Sequence, residues 1–227
     1  MPTVLKYGLI RNFRSPISAL ASAVAPIVVI ILLGSSESPA PLVNILAMII
    51  LMASHLSAGL ILQDRLDGFV TRVLLSPVST VSYKVQNMIA AMMPPVIYCT
   101  VLAVMGIVRY NWGIQITFGI TFSVLLFAFV CTAFAFFFTT FFKSAEGNNY
   151  SYLFVAIVMT FFTGLLLPTE ALPQALQHVG AVFHPYWLLR GVSTLVTYGL
   201  TRQFWLYKLV MVLFAAVFLV LGGRKRE

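Results

Sequence analysis

The sequence predicts an all-α polytopic membrane protein with six transmembrane helices, and three observations predict it. First, 60% of the 227 residues are hydrophobic and only 9% are charged, whereas soluble domains carry roughly 25% charged residues. A water-soluble fold of this size would lack the polar surface to cover its core, which argues against a soluble enzyme and excludes a disordered or disulfide-stapled chain. Second, six apolar runs approach the ~20 residues that a hydrocarbon core of about 30 Å requires; they cover 17–33, 42–62, 85–108, 116–142, 150–167 and 204–221. Third, the basic residues fall mainly on one side of those runs.

Each element follows from local pattern. In the N-terminal arm, Leu5, Leu9 and Phe13 share one helical face, which predicts an interfacial helix leading into the first span. That span is read as a retained helix, because no small-x-small cleavage site follows it. The runs are apolar all round and contain no Asp or Glu, so helices are expected and not the alternating strands of a barrel. The first external loop, 34–41, is short. The segment 63–83 carries Leu66, Phe69, Val70, Val73 and Leu74 at helical spacing, with Asp64 and Asp67 early and Arg72 late, before Ser76-Pro77 stops it. This is a short amphipathic helix between two spans, suited to docking a cytoplasmic partner. Pro94-Pro95 predicts a kink in the third span, and Tyr110 and Trp112 are headgroup-level anchors beyond it. The Phe-rich fourth run suits a lipid-facing or a greasy cavity wall, the lipid-facing reading being preferred. The external segment 168–203 holds two short helical patterns, opened by Pro173 and Pro185. Neither is long enough to span, so an external re-entrant helical hairpin between spans five and six is expected, the alternative being two helices lying flat on the outer surface.

Ten of the fourteen basic residues lie on the side of the two termini; Arg109, Arg190, Arg202 and Lys208 lie opposite. The positive-inside bias places both termini in the cytoplasm of a multi-pass protein. The net charge of +8 is then a consequence of topology, and no nucleic-acid partner is needed.

Chemical motifs are sparse. There is no G-x-S-x-G, H-E-x-x-H or C-x-x-C, and no enzyme activity is expected. His55, His178 and His184 read as packing residues, the nine methionines are scattered, and no metal site is expected. Cys99 and Cys131 sit in apolar runs as small buried hydrophobes. No span holds an acidic group of the kind that ion-coupled carriers use, and the chain lacks a Gly-Lys pair, hence a P-loop. Any ATPase must be another polypeptide. Helix-packing signals exist: Ser18, Ser22 and Ala25 form a small-residue stripe, while Asn44, Met48, Leu51 and His55 share a face. Ser18, Ser22, Asn44 and His55 are the candidate pathway or dimer face.

Two stretches resemble the type-2 ABC exporter permeases. In RLDGFVTRVLLSPVS, Arg65, Gly68, Leu74, Leu75, Pro77, Val78 and Ser79 match the family's segment after the second helix, with Asp67 where Glu is common. In GLLLPTEALPQAL and HPYWLLRGV, Gly164, Pro168, Leu172, Pro173, Pro185 and Arg190 match its external element. The resemblance implies a single transmembrane domain over 1–227 in a bacterial plasma membrane. It implies a dimer with a second permease copy or a paralogue, and two copies of an ATP-binding cassette subunit that hold ATP and Mg; this chain holds no cofactor. It makes 63–83 a coupling segment seated in that subunit, with Arg65, Asp67, Gly68, Phe69, Arg72, Leu74 and Pro77 as its residues, and makes Pro168, Pro173, Pro185 and Arg190 part of an external cap. The expected cargo is amphipathic or hydrophobic: an antibiotic, drug, peptide or lipid, with multidrug or antibiotic resistance as one outcome. The competing expectations are a membrane-anchored regulatory module that binds a partner without transport, and a small channel.

Overall fold

Helices carry nearly all of the described chain, as lipid would require of a backbone with no water to bond. The computed structural model describes residues 7, 8, 10, 39–68, 80–166 and 173–224. Among them the order is α1 (Ala40–Leu66), α2 (Thr80–Ala91), α3 (Met93–Val108), α4 (Ile114–Phe138), a 3-10 turn (Thr139–Phe141), α5 (Ala145–Thr163), α6 (Gln174–Gly180), α7 (His184–Tyr198) and α8 (Arg202–Arg224). No strand occurs among the described residues. The expected first span, 17–33, lies outside them. So does the interfacial arm, apart from Tyr7, Gly8 and Ile10.

Four stretches are long and apolar enough to cross a membrane: Ala40–Leu66, Ser82–Val108, Ile114–Phe141 and Arg202–Gly223. They contain the second, third, fourth and sixth expected spans, the fourth all but its last residue. The fifth differs. Its helix starts earlier than its apolar run, because Ser144 caps it by accepting a hydrogen bond from the Gly147 amide at 3.2 Å. The first turns of α5 are therefore polar (AEGNNYS), and the helix ends at Gly164, whose φ of +88° is left-handed.

The third span is broken where the sequence predicts. α2 ends at Ala91, Met92 is a turn, and α3 restarts with Pro94 and Pro95 in its first turn. The Met92 amide reaches both Met88 and Ile89 carbonyls, at 3.1 and 3.2 Å. Two successive prolines remove two amide donors from the ladder, which is sufficient cause for the break.

α4 is the central helix. It packs against α1, α3, α7 and α8, and 61% of its apolar window is buried against 22% for α8. This corrects the reading of the Phe-rich run as a lipid-facing wall. Phe127 is fully buried and Phe134 nearly so, against Tyr152, His184 and Phe218; only some, such as Phe118 and Phe141, are exposed. An all-round apolar helix has no polar face to reveal which side meets lipid.

Small residues set the closest approaches. A Cβ on Gly119 would lie 2.6 Å from Leu195, so α4 and α7 touch there; one on Gly191 would lie 2.5 Å from the Lys208 ammonium, so α7 and α8 do likewise. α7 contacts α4 at Gly119 through Leu195 and in its last third through His184. Its N-terminal end is thus carried deep alongside α4.

Candidate functional site

Three places in the molecule bear polar chemistry. The first is the end of α1. Arg65 and Asp64 sit in its last turn, and the chain leaves at Gly68 with φ of +69°, a conformation that suits glycine. One guanidinium nitrogen of Arg65 donates to the carbonyls of Thr139 (3.0 Å) and Phe142 (3.1 Å). They lie at the end of α4 and its 3-10 turn, where a cation is favoured by the helix dipole; the Thr139 carbonyl also takes the Phe142 amide at 3.4 Å. Beside it the Tyr83 hydroxyl donates to the Asp64 carboxylate at 3.0 Å. The ends of α1 and α4 and the start of α2 are thereby joined. This junction brackets the expected coupling segment. The structure narrows that segment, because residues 63–66 belong to α1 and residues 80–83 to α2. Asp67 and Gly68 lie at its entry; Phe69, Arg72, Leu74 and Pro77 lie outside the described residues.

The second place is the middle of α1. Ser54 Oγ donates to the Leu51 carbonyl (2.8 Å) and lies 2.7 Å from the Tyr152 hydroxyl, itself 3.1 Å from that carbonyl. Tyr152 is fully buried and stacks on His55 with centroids 5.4 Å apart. The His55 ring bonds the Met52 carbonyl through Nδ1. Of the expected pathway or dimer face, His55 is therefore engaged within this chain, Asn44 is half-buried, and Ser18 and Ser22 lie outside the described residues. Next to this node a narrow cleft runs between α1 and the broken third span. Ser54, Ser57, Pro94, Pro95, Tyr98 and Thr132 are among its walls, and no charged residue lines it.

The third place is the pair of short helices α6 and α7 with the facing turn of α8. Pro173 precedes α6 and Pro185 occupies the first turn of α7, as expected of helix openers; Pro168 lies outside the described residues. Arg190 is exposed, and its Nε donates to the Tyr186 hydroxyl at 3.1 Å. His184 is buried, with Nε2 3.5 Å from Cys131 Sγ and rings of Phe127, Phe134 and Phe218 around it. On α8, Lys208 is 3% exposed; its ammonium lies 4.8 Å from the Phe204 ring centroid and has no hydrogen-bond partner among the described residues.

A family model described as ABC-2 family transporter protein matches residues 17–224. The chain belongs to the ABC-2 transporter family. Curated proteins give no match. As an ABC-2 permease it is a multi-pass membrane protein, and membership implies an ATP-binding partner subunit. Within the permease, the Arg65 junction was half-visible in the sequence: the arginine is part of the resemblance, but its acceptors are backbone carbonyls 74 and 77 residues away. Tyr152, Tyr98 and Thr132 were not singled out, since a hydroxyl inside an apolar run leaves no spacing signal. Lys208 stood out as the one basic residue within a span.

Proposed function

We propose that this permease is the membrane half of an ATP-driven exporter, working as a two-fold or pseudo-two-fold pair with two ATP-binding subunits. The observation that carries the reading is the Arg65 junction. A segment meant to transmit force has to be fixed to the frame at its roots, and residues 67–79 emerge between two such roots: Arg65 on the carbonyls of Thr139 and Phe142, and Tyr83 on Asp64. Phe69 and Leu74 supply apolar anchors for a cleft in the ATP-binding subunit, with Asp67 and Arg72 as flanking charges. ATP and Mg are held by that subunit, whose closure drives the α1 and α4 ends together.

Six spans, with 17–33 and α5 completing the four that qualify by length and composition, put both termini in the cytoplasm of a bacterial plasma membrane, as the basic residues favour. The contacts of His184 with Phe127 in the middle of α4 and Phe134 in its last third support α6 and α7 as a re-entrant cap on the outer side. The absence of charge from the cleft favours amphipathic or apolar cargo.

The test is a charge at the coupling segment. Phe69→Asp or Leu74→Asp in the reconstituted complex is expected to lower transport roughly tenfold or more, leave ATP hydrolysis running, and leave the permease folded. Undiminished transport in both variants would overturn the reading.

A further inference from the structure

The cleft between α1 and the broken third span lies near the middle of both, since Ser54 is central in Ala40–Leu66 and Pro94-Pro95 central in Ser82–Val108. It has four hydroxyls on its walls. Two are in use: Ser54 on Leu51 and Tyr152, and Thr132 on the Ala128 carbonyl (2.8 Å) with Met92 Sδ at 3.6 Å. The hydroxyls of Ser57 and Tyr98 have no hydrogen-bond partner among the described residues, although Tyr98 is only 3% exposed. Neither oxygen is among the fully buried unpartnered atoms, so both are open to the cleft, where a ligand hydroxyl or carbonyl can reach them. The cleft is partly open, with a cavity volume of about 40 Å3, and suits a slender hydrocarbon segment. One wall is the helix break itself, through Ala91, Pro94 and Pro95.

We propose that this cleft is a binding site for an uncharged amphiphile, one that places a hydroxyl or carbonyl group between Ser57 and Tyr98 and its hydrocarbon body along Pro94 and Pro95. A plain hydrocarbon tail would fill the space but leave both hydroxyls unpaired. A charged group would enter a lining without a counter-charge. The site's role in transport rests on the export reading; its occupancy does not.

The experiment uses the full chain in lipid nanodiscs with two photoreactive probes: a long-chain alcohol bearing a mid-chain diazirine, and the matching alkane. Labelled peptides are mapped by mass spectrometry. The alcohol is expected to label 50–57 and 94–98 roughly fivefold to tenfold more than the alkane, the worth of about one hydrogen bond. In the double variant Ser57→Ala/Tyr98→Phe the alcohol should fall to the level of the alkane. Persistent alkane labelling then shows that the cleft is still formed. Equal labelling by both probes in the natural chain marks a resident lipid tail and overturns the proposal. So does labelling elsewhere only, or protection of the cleft from both probes by residues 17–33. If the labelling is as expected but the reconstituted complex moves no cargo, the site stands and the export reading falls.

Discussion

Two cations in this protein illustrate opposite ways of placing charge near a membrane. Arg65 meets two backbone carbonyls at the end of a helix, so its charge is matched by the negative end of the helix dipole. Replacing it with Met is expected to lower stability by about 1.5–3 kcal/mol, the range for hydrogen bonds to a charged group. Arg65→Lys should recover only part of that, because both bonds come from the terminal guanidinium nitrogen and the lysine stem is shorter. Thermal unfolding of the purified permease checks both; an unshifted midpoint for Arg65→Met would contradict the assignment. Lys208 is the reverse case. Its stem packs among Phe204 and Met211 on the buried face of α8, and a single ring face offsets its charge among the described residues. Lys208→Met keeps the packing and removes the charge, so it should raise the unfolding midpoint by the equivalent of about 1 kcal/mol or more. A lower midpoint would show that the ammonium has a partner of its own. The sequence flagged Lys208 as the single basic residue inside a span, but not that the face it takes is the buried one. Arg65 was legible through its motif; its acceptors were not, because backbone carbonyls carry no sequence signature.

At the scale of elements, the spans were readable wherever length and hydropathy decide, and the break at Met92 was readable from Pro94-Pro95. Substituting both prolines with Ala restores two donors and should straighten Ser82–Val108. Spin labels at its two ends are expected to move apart by several ångströms, since removing a kink lengthens a helix toward about 1.5 Å per residue. An unchanged distance would place the cause of the break in tertiary packing. The misread element is α4. Its phenylalanines look alike in sequence, yet Phe127 and Phe134 fill the core while Phe118 and Phe141 face outward; lipid and protein interior reward the same hydropathy. The helix of α5 begins ahead of its apolar run because the Ser144 cap sets its start. The close contact of α6 with α5 depends on Gly180, where a Cβ would run into the Phe162 carbonyl. Gly180→Ala should cost about 1–3 kcal/mol, read in the same unfolding assay, and the loss should be absent if α6 is free to shift.

The whole molecule is one side of an interface whose other side is absent from its sequence. Composition and charge placed it in a membrane, the lack of a P-loop sent the energy source elsewhere, and family membership supplies an ATP-binding partner. What could not be read was the frame that would make a docking segment rigid, since that frame joins Arg65, Thr139, Phe142, Asp64 and Tyr83 from distant parts of the chain. The most direct measurement is site-specific cross-linking in native membranes. A photoreactive residue is placed at position 74 in one variant and at position 198, in the segment assigned to the outer side, in another, and captured subunits are identified by mass spectrometry. The account predicts a nucleotide-hydrolysing subunit bearing a P-loop captured from position 74 and not from position 198. Capture of no such subunit from position 74, in membranes where the permease is active, would contradict it.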